Sequence, residues 1–441
     1  MLEKEKGEKM DLFEKCYKFT IAKEIQKAGF YPYFHKVESG QNPVVICEGK
    51  RMIMMGSNNY LGLASNQRLK NASIFATQKY GVGCVGSRFL NGTLDLHERL
   101  EKELAQFVGK PSALVFTTGM QVNLGVISSL VGKNDYILTD KYDHASIIDG
   151  CRLSYGKMVR FKHNDVSDLE RVLASLPEDA GKLIVIDGVF SMEGDIAPLK
   201  EIIPVAKKYR ARIMVDDAHG IGVLGKNGRG TCNYMGVTDE VDLIMGTFSK
   251  SFASIGGFIA GEEDIIHYIK HNARALIFSA APSPSNVAAV LKALEIMKKS
   301  DRRQKRLLKL ANYMRDRLKS LGFDTGFSTT PIIPVVIGDD LAAFKFWRLL
   351  FDRGVFTTPV VSPAVPPGRA LIRVSIMATH TKRHLEQALK AFYEAGQELG
   401  LIEKGKKFVK PEKTSLKRGI KAINVWMRRL WRSSRSKQTA N

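Results

Sequence analysis

The sequence predicts an α/β protein: a large domain built on a mostly parallel seven-stranded sheet, followed by a small α+β C-terminal domain. Short apolar runs alternate with stretches of helical periodicity, which is typical of a parallel sheet covered by helices on both faces. After residue 300 the chain changes to a basic helix and short mixed elements, which indicates a second domain. The predicted strands of the large sheet are 113–116, 136–138, 158–161, 183–186, 213–215, 243–245 and 257–260.

These patterns divide the chain into an N-terminal arm (1–50), a large domain (51–300), a small domain (301–402) and a tail (403–441). The arm is a charged helical segment that leads into an aromatic stretch broken by Pro32. A buried strand is expected at 52–55 and an amphipathic helix at 94–107. In the small domain the pattern predicts helices at 302–321, 341–352 and 382–399 and strands at 332–337 and 371–376.

The net charge of +22 is concentrated in the tail. From Lys404 onward there are thirteen basic residues and one acid, a net charge of +12, which leaves +10 for the 403 residues before it. The tail also places apolar residues on one helical stripe, with basic residues around it. Two interpretations stay open: a basic helix on an anionic membrane surface, or a solvated disordered tail.

Composition argues against several classes of protein. No apolar run approaches the ~18 residues that span a bilayer, and the charged start lacks the apolar segment of a signal peptide. The five cysteines are scattered without a Cys-x-x-Cys pair, which argues against disulfides or a zinc site and favours a reducing cytoplasm. Neither end has room for a convincing helix-turn-helix module, so nucleic acid is not an expected partner.

One glycine-rich stretch imitates a dinucleotide-binding motif. Residues 81–86 match G-x-G-x-x-G, but that motif must follow a strand and open a helix. Here it follows the helix-like stretch 69–80. The pattern therefore predicts a loop that lines a pocket and not an NAD site.

Lys250 is the first candidate for chemistry. It lies among small hydroxyl residues in Gly-Thr-Phe-Ser-Lys-Ser (246–251), after the apolar run 243–245. A lysine in this setting can form a Schiff base with pyridoxal phosphate (PLP), while Thr247 and Ser249 bind the phosphate. The alternative is an ordinary surface-loop lysine.

Asp216 and His219 follow the preceding apolar run, 213–215, in Asp-Asp-Ala-His-Gly. An acid after a buried run is costly unless it meets a cation. A carboxylate that faces a pyridine nitrogen keeps the ring protonated, and a protonated ring stabilises a carbanion. His219 could reach the phenolic oxygen of the ring. A metal site is the alternative, but it lacks a third clustered ligand.

Two further strand ends carry candidates. Residues 117–123 close a strand and open a helix, so the free amides near Gly119 and Met120 predict an anion cradle. A simple helix cap is the alternative. His144 follows the next strand, where it could stack on an aromatic cofactor or be a helix-start histidine without a role.

The remaining candidates are polar residues in apolar surroundings. Ser191 follows a strand in a turn and is a candidate hydrogen-bond donor to the cofactor. Arg373 lies among apolar neighbours, where it needs an anion such as a substrate carboxylate, or a structural ion pair. The adjacent amides Asn58 and Asn59 either form a turn or dock a carboxylate.

From about residue 12 to residue 400 the chain resembles the α-oxoamine synthases, PLP enzymes of fold type I that condense an amino acid with an acyl-CoA and release CO₂. The segments that carry the resemblance are Ser-Asn-Asn-Tyr-Leu-Gly (57–62), Gly-Ser-Arg-Phe (86–89), Asn-Gly-Thr (91–93), His-Glu (97–98), Asp-His-Ala-Ser (143–146), Asp-Asp-Ala-His-Gly (216–220) and Gly-Thr-Phe-Ser-Lys (246–250).

The resemblance implies a role for each candidate. Lys250 would hold the cofactor, with His144 stacked on its ring. Asp216 would face the ring nitrogen and His219 the ring oxygen. Arg373, with Asn58 or Asn59, would bind the substrate carboxylate, while the phosphate would lie near Thr247 and Ser249.

Thr-Phe-Ser-Lys-Ser-Phe (247–252) is similar to the serine palmitoyltransferase branch of the family. This implies condensation of L-serine with a long-chain acyl-CoA, as the first step of sphingolipid synthesis, by a cytoplasmic homodimer, with the inner membrane face as an open option. The alternative is a glycine- or alanine-using member, of the 8-amino-7-oxononanoate synthase or 2-amino-3-ketobutyrate CoA ligase type.

Overall fold

All seven predicted runs form strands in the computed structural model, which describes residues 11–403 and Phe408. The strands are β1 (Val44–Cys47), β2 (Lys50–Met54), β3 (Ser112–Phe116), β4 (Tyr136–Asp140), β5 (Lys157–Phe161), β6 (Lys182–Asp187), β7 (Arg212–Asp216), β8 (Leu243–Thr247), β9 (Gly257–Gly261), β10 (Ile332–Gly338), β11 (Val355–Phe356), β12 (Thr358–Val360) and β13 (Ala370–Ser375).

Helices separate most of these strands. They are α1 (Glu14–Tyr17), α2 (Ile21–Lys27), α3 (Gln67–Tyr80), α4 (Asp95–Val108), α5 (Gly119–Leu130), α6 (Ala145–Leu153), α7 (Val166–Ala174), α8 (Leu199–Lys208), α9 (Thr231–Met235), α10 (Glu263–Asn272), α11 (Arg274–Ile277), α12 (Pro284–Lys299), α13 (Arg302–Leu321), α14 (Asp340–Asp352) and α15 (Lys382–Glu398), with two 3₁₀ turns at Lys226–Gly228 and Thr238–Glu240. No helix of the described residues is long and apolar enough to span a bilayer.

The central sheet has the strand order β3-β9-β8-β7-β6-β4-β5. Strand β9 is antiparallel to both of its neighbours, and the other strands are parallel. This confirms the predicted α/β class with a mostly parallel seven-stranded sheet. Because the parallel strands point the same way, their carboxyl ends gather at one edge, where ligands bind in such sheets.

The core lies on both faces of this sheet. Alternate residues of β6 point to opposite sides: Ile184 and Ile186 pack with α7 and α8, while Leu183 and Val185 pack on the side of α5, α6 and α10. Burial of each such side chain contributes about 1.5–3 kcal/mol. The continuous apolar runs of the sequence are explained by this burial on both faces.

Two small sheets complete the fold. Strands β10, β13 and β12 are antiparallel neighbours, and β1, β2 and β11 form the other sheet. The β1–β2 hairpin was not predicted, and β2 pairs in parallel with β11. The first part of the chain is therefore tied to its C-terminal part, and residues 11–402 form one compact unit. The predicted boundary near residue 300 stays a prediction.

Helix bounds in the C-terminal part follow the predicted ones closely. Helix α13 has the predicted bounds and ends where Gly322 takes a left-handed conformation, with φ of 102°. Helix α15 begins after Thr381, whose side chain accepts a hydrogen bond from the His384 amide. The tail lies outside the described residues, so its two interpretations remain as the sequence leaves them.

Candidate active site

A cavity of about 600 Å³ lies where β3, β4, β6, β7 and β8 end. Strand order alone brings these ends together, although the residues that follow them are far apart in sequence. The cavity collects eleven of the twelve predicted site residues: Asn58, Gly119, Met120, His144, Ser191, Asp216, His219, Thr247, Ser249, Lys250 and Arg373. The exception is Asn59.

Asp216 is the last residue of β7 and is 3% exposed. Its Oδ2 accepts a hydrogen bond of 2.7 Å from Nδ2 of Asn123, and its Oδ1 accepts one of 3.0 Å from the Ala218 amide. The second hydrogen of the Asn123 amide goes to Ser146 Oγ at 2.8 Å. Asn123 therefore fixes the carboxylate that the sequence assigned to the ring nitrogen.

Asp217 serves a different purpose from Asp216. It is fully buried, and its two oxygens accept hydrogen bonds from the Thr231 amide at 2.7 Å and the Thr231 hydroxyl at 2.5 Å. Burial raises its pKa to about 7. The Asp-Asp pair thus divides into a carboxylate at the cavity and one that anchors the following loop.

Lys250 reaches the cavity from the turn after β8. Burial lowers the pKa of its amine to about 8; Asp216 and Asp187 partly oppose this effect, and Arg373 adds to it. A lysine that is neutral near pH 8 is a better nucleophile and base than an ordinary one. The site therefore activates Lys250 for the Schiff-base role that the sequence indicates.

His219 is held by a residue that the sequence analysis did not identify, Tyr60. The Tyr60 hydroxyl lies 2.7 Å from Nδ1 of His219, and Arg373 Nη2 donates to the same hydroxyl at 3.4 Å. Burial, with the positive charges of Lys250 and Arg373, lowers the pKa of His219 well below its usual value. The lowered pKa makes His219 a neutral imidazole, which carries one proton on Nδ1 or Nε2.

His144 forms the N-terminal cap of α6. Its Nδ1 accepts a hydrogen bond of 3.2 Å from the Ser146 amide, and its own amide donates to Asp187 Oδ2 at 3.1 Å. Burial is the main cause of the lowered pKa of its ring. His144 is a helix cap that also lines the cavity, and its stacking on a cofactor ring stays a prediction.

The predicted anion cradle combines a helix start with two hydroxyls. Thr118 caps α5 by accepting from the Gln121 amide at 3.1 Å, and Thr247 Oγ1 lies 3.0 Å from Ser249 Oγ. Gly119 allows the two parts to approach: a Cβ at this position would lie 2.6 Å from Thr247 Oγ1. Free amides and hydroxyls in such proximity suit a phosphate.

Arg373 lies on β13 and is 6% exposed. Its guanidinium donates to the Ser191 carbonyl at 2.6 Å, to Asn58 Oδ1 at 3.0 Å and to Ser375 Oγ at 2.8 Å. Within the part of the chain that the structure describes, these partners are neutral and no acidic side chain pairs with it. A buried guanidinium in this state is suited to an incoming anion.

The two adjacent asparagines differ in position. Asn58 lines the cavity beside Arg373. Asn59 bonds to backbone groups instead: Nδ2 donates to the Gln41 carbonyl at 3.0 Å, and Oδ1 accepts from the Leu63 amide of its own turn at 2.9 Å. The turn interpretation therefore fits Asn59, and carboxylate docking stays a prediction for Asn58.

Three residues of the site were missed as individual candidates: one lines the cavity, and two contact residues that line it. Asp187 ends β6 and lines the cavity, and its position at a strand end was the available signal. Asn123 lies inside the predicted cradle, but only the fold shows its contact with Asp216. Tyr60 lies in the segment 57–62, but only the fold shows its contacts with His219 and Arg373, which are more than 150 positions away.

Phe248, in contrast, lies outside the cavity although it helped to place the chain in one branch of the family. Its ring is 1% exposed and packs against Phe252 and Phe258, with centroids 5.3 and 5.9 Å away. The aromatic residue before the Ser-Lys pair is therefore part of the core below Lys250. It bears on packing and not on substrate contact.

The donor set of the cavity fits PLP. The amine of Lys250 matches the aldehyde, the buried carboxylate of Asp216 matches a protonated ring nitrogen, and the cradle around Gly119 and Thr247 matches the phosphate. The close approach of Gly119 to Thr247, which a side chain would fill, is the local feature that keeps this cradle open.

Comparison with known proteins gives the same result. The model of the family "Aminotransferase class I and II" matches residues 50–392. The chain is 52% identical over 378 residues to a serine palmitoyltransferase of Sphingobacterium spiritivorum, covering 86% of this chain and 95% of the relative. It is 46% identical to an 8-amino-7-oxononanoate synthase of Thermoanaerobacter pseudethanolicus, over 86% and 96% of the two chains.

A solved structure is also similar. The serine palmitoyltransferase of S. paucimobilis, with bound PLP-myriocin aldimine, has a TM-score of 0.86 and 37% identity, covering 89% of this chain and 100% of that one. The chain therefore belongs to the aminotransferase class I and II family, as one of its PLP-dependent α-oxoamine synthases.

Proposed function

We propose that the protein catalyses the decarboxylative condensation of L-serine with a long-chain acyl-CoA, palmitoyl-CoA, to give 3-ketosphinganine, the first step of sphingolipid synthesis. The observation that carries this proposal is Arg373: a buried guanidinium with neutral partners, in the same cavity as Lys250 and Asp216. The 52% identity to a serine palmitoyltransferase supports serine over the other amino acids that the family uses.

PLP, when bound, supplies an electron sink for negative charge at the substrate Cα. The chain supplies the rest. Arg373 and Asn58 bind and orient the serine carboxylate. The Asp216 carboxylate, fixed by Asn123, would hold a proton on the ring nitrogen, and His219 would donate a proton to the ring oxygen. His144 would lie against one face of the ring.

Lys250 moves the proton. We propose that its amine takes the proton from Cα, which a pKa near 8 allows at physiological pH. Cα then bonds to the thioester carbonyl carbon, the C–S bond breaks and CoA leaves with its sulfur. The serine carboxyl group departs as CO₂, and the electron pair left at Cα takes a proton back.

The second candidate is a synthase that uses glycine or alanine, of the 8-amino-7-oxononanoate or 2-amino-3-ketobutyrate type. The 46% identity to an 8-amino-7-oxononanoate synthase favours it. The amino acid distinguishes the two candidates, since a serine enzyme retains the hydroxymethyl group in its product.

The proposal also covers the oligomeric state of the protein and its location in the cell. We propose that the protein is cytoplasmic and forms a homodimer; the half-exposed apolar residues that line the cavity, Met120 and Ile255, at 49% and 48%, support the homodimer. Light scattering of the holoenzyme would give the mass of one chain if this is wrong. The proposal that the basic tail binds anionic membranes is tested by vesicle co-sedimentation before and after deletion of the residues that follow Lys404.

One assay tests the function. The purified holoenzyme is titrated with L-serine, glycine and L-alanine while the visible band of the cofactor is followed, and CoA release is then measured with a panel of acyl-CoAs. We expect L-serine and palmitoyl-CoA to be the preferred pair, and Lys250→Ala to abolish release. Preference for glycine or alanine would support the second candidate instead.

A further inference from the structure

His163 lies outside the cavity, between two of the loops that build it. It follows β5, and both of its ring nitrogens face carboxylates: Nδ1 lies 3.0 Å from Asp140 Oδ1, and Nε2 lies 3.0 Å from Asp195 Oδ2. Asp140 ends β4, and Asp195 closes the loop after β6. One imidazole therefore joins two strand-end loops.

The same two loops also hold the faces of the ring. Tyr142, from the first loop, stacks on His163 with centroids 4.4 Å apart, and Phe190, from the second loop, meets it edge-on at 4.5 Å. Each loop thus contributes one carboxylate and one aromatic ring. The orientation of His163 is fixed by four contacts, which is more than a histidine in ordinary core packing needs.

The hydrogen bonds set the charge of the ring. Two carboxylate oxygens accept, so both ring nitrogens donate, which only the imidazolium can do. Burial by itself would lower the pKa of His163, but the hydrogen bonds to Asp140 and Asp195 outweigh this effect and raise the pKa to about 10. The link between the loops is therefore an ionic one at neutral pH.

Both loops continue into the active site. The first, through Asp140, reaches His144, the cap of α6. In the second, the Phe190 amide donates to the Asp195 carbonyl at 3.1 Å, which closes a tight loop around Ser191. The Ser191 carbonyl in turn accepts from Arg373 Nε at 2.6 Å. A shift of Asp195 would thus move the carbonyl that orients the guanidinium.

We propose that His163 is a positioning residue: its imidazolium joins the loop that bears His144 to the loop that bears Ser191, and so holds Arg373 in the orientation that binds the amino-acid carboxylate. This inference rests on the proposed function, in which Arg373 is the carboxylate ligand. His163 touches neither substrate nor cofactor, and it acts through the Ser191 carbonyl.

The test uses His163→Phe, which keeps an aromatic ring between Tyr142 and Phe190 but removes both N–H donors. The matched control is His35→Phe. His35 also bonds through both nitrogens, to Glu48 at 2.8 Å and the Tyr31 carbonyl at 3.0 Å, and packs on Phe351, but it lies away from the cavity. Each holoenzyme is titrated spectroscopically with L-serine and with ethanolamine, which is serine without its carboxylate.

We expect His163→Phe to weaken L-serine binding about tenfold or more while ethanolamine binding stays unchanged, because a small displacement of a positioning group has effects of this size. His35→Phe should change neither. An equal weakening of L-serine and ethanolamine binding, or unchanged L-serine binding, would overturn the proposal. If His163→Phe does not fold, Asp195→Asn removes one carboxylate at nearly constant shape and should give the same contrast.

Arg373→Lys separates this inference from the proposed function. If that variant still prefers L-serine over ethanolamine as the wild type does, the guanidinium does not set the carboxylate preference, and the roles of Arg373 and His163 are overturned, while the CoA-release assay decides the condensation itself. If Arg373→Lys loses the preference and His163→Phe retains it, the carboxylate role stands and only the role of His163 is overturned.

Discussion

Asp216 and Asp217 are adjacent in sequence, but their carboxylates have separate partners. Asp216 lines the cavity and accepts from Asn123 at 2.7 Å, whereas Asp217 accepts two hydrogen bonds from Thr231 and anchors the loop after β7. The division falls at the end of the strand, since Asp216 is the last residue of β7 and Asp217 is the first residue after it. Chemistry and stability are therefore assigned to different residues of one motif.

The Asp pair gives the first prediction. Asp216→Asn should lower kcat by roughly 10²-fold or more, because a preorganised charge at the reacting centre is lost, with little change in Tm. Asp217→Asn should retain turnover per folded molecule but lose about 1–3 kcal/mol of unfolding free energy, since an amide hydrogen would face the Thr231 donors. Turnover and urea unfolding of both variants check this. A Asp217→Asn enzyme that is inactive but fully stable would contradict it.

The adjacent asparagines give the second prediction. Asn58→Ala removes the 3.0 Å hydrogen bond to Arg373 and should raise KM for L-serine by a few-fold to about tenfold, the value of one typical hydrogen bond. Asn59→Ala should leave KM unchanged and lower Tm, because it removes the bonds to Gln41 and Leu63. Steady-state kinetics and thermal unfolding separate the two effects, and a raised KM in Asn59→Ala would count against this assignment.

Two glycines, one at the start of α5 and one in the loop after α3, give the third prediction. Gly119→Ala would place a Cβ 2.6 Å from Thr247 Oγ1, so the cradle must shift, at a cost of about 1–3 kcal/mol in cofactor binding. Gly83→Ala is the control, because no atom lies within 4 Å of a Cβ there. Equilibrium dialysis against PLP should show weaker binding only for Gly119→Ala. Equal retention by the two variants would exclude the cradle as the phosphate site.

The pKa of Lys250 gives the fourth prediction. Burial lowers it to about 8, so the neutral amine predominates above pH 8 and the ammonium below it. Only the neutral amine attacks an aldehyde. The rate at which the apoenzyme captures PLP should therefore rise through about pH 8 and then level off. Stopped-flow absorbance measures this rate, and a rise that continues to the usual lysine range near pH 10.4 would show that the site does not activate Lys250.

Sequence patterns could predict the sheet because its strands are buried on both faces and read as continuous apolar runs. The same patterns placed Lys250, Asp216 and His144 near one another, since strand ends in a parallel sheet share an edge. Local polarity and strand direction were sufficient for this part of the site.

Contacts between distant segments could not be predicted in this way. Tyr60 meets His219 and Arg373 only because β2 pairs with β11 and draws the first part of the chain towards the small sheets. The same holds for His163, whose partners Asp140 and Asp195 come from two other loops. Periodicity describes one segment at a time and contains no information on such pairings. The separation of Asn58 from Asn59 likewise depends on the direction of a turn.

The central claim is that the protein condenses L-serine with a long-chain acyl-CoA and releases the serine carboxyl group as CO₂. Following that carboxyl carbon tests the claim most directly. Holoenzyme is incubated with palmitoyl-CoA and L-serine labelled with ¹³C at the carboxyl carbon, and labelled CO₂ and free CoA are measured together. The account predicts one labelled CO₂ for each CoA and a lipid ketone that lacks the label. CoA release without labelled CO₂, or faster CoA release with glycine than with L-serine, would contradict it.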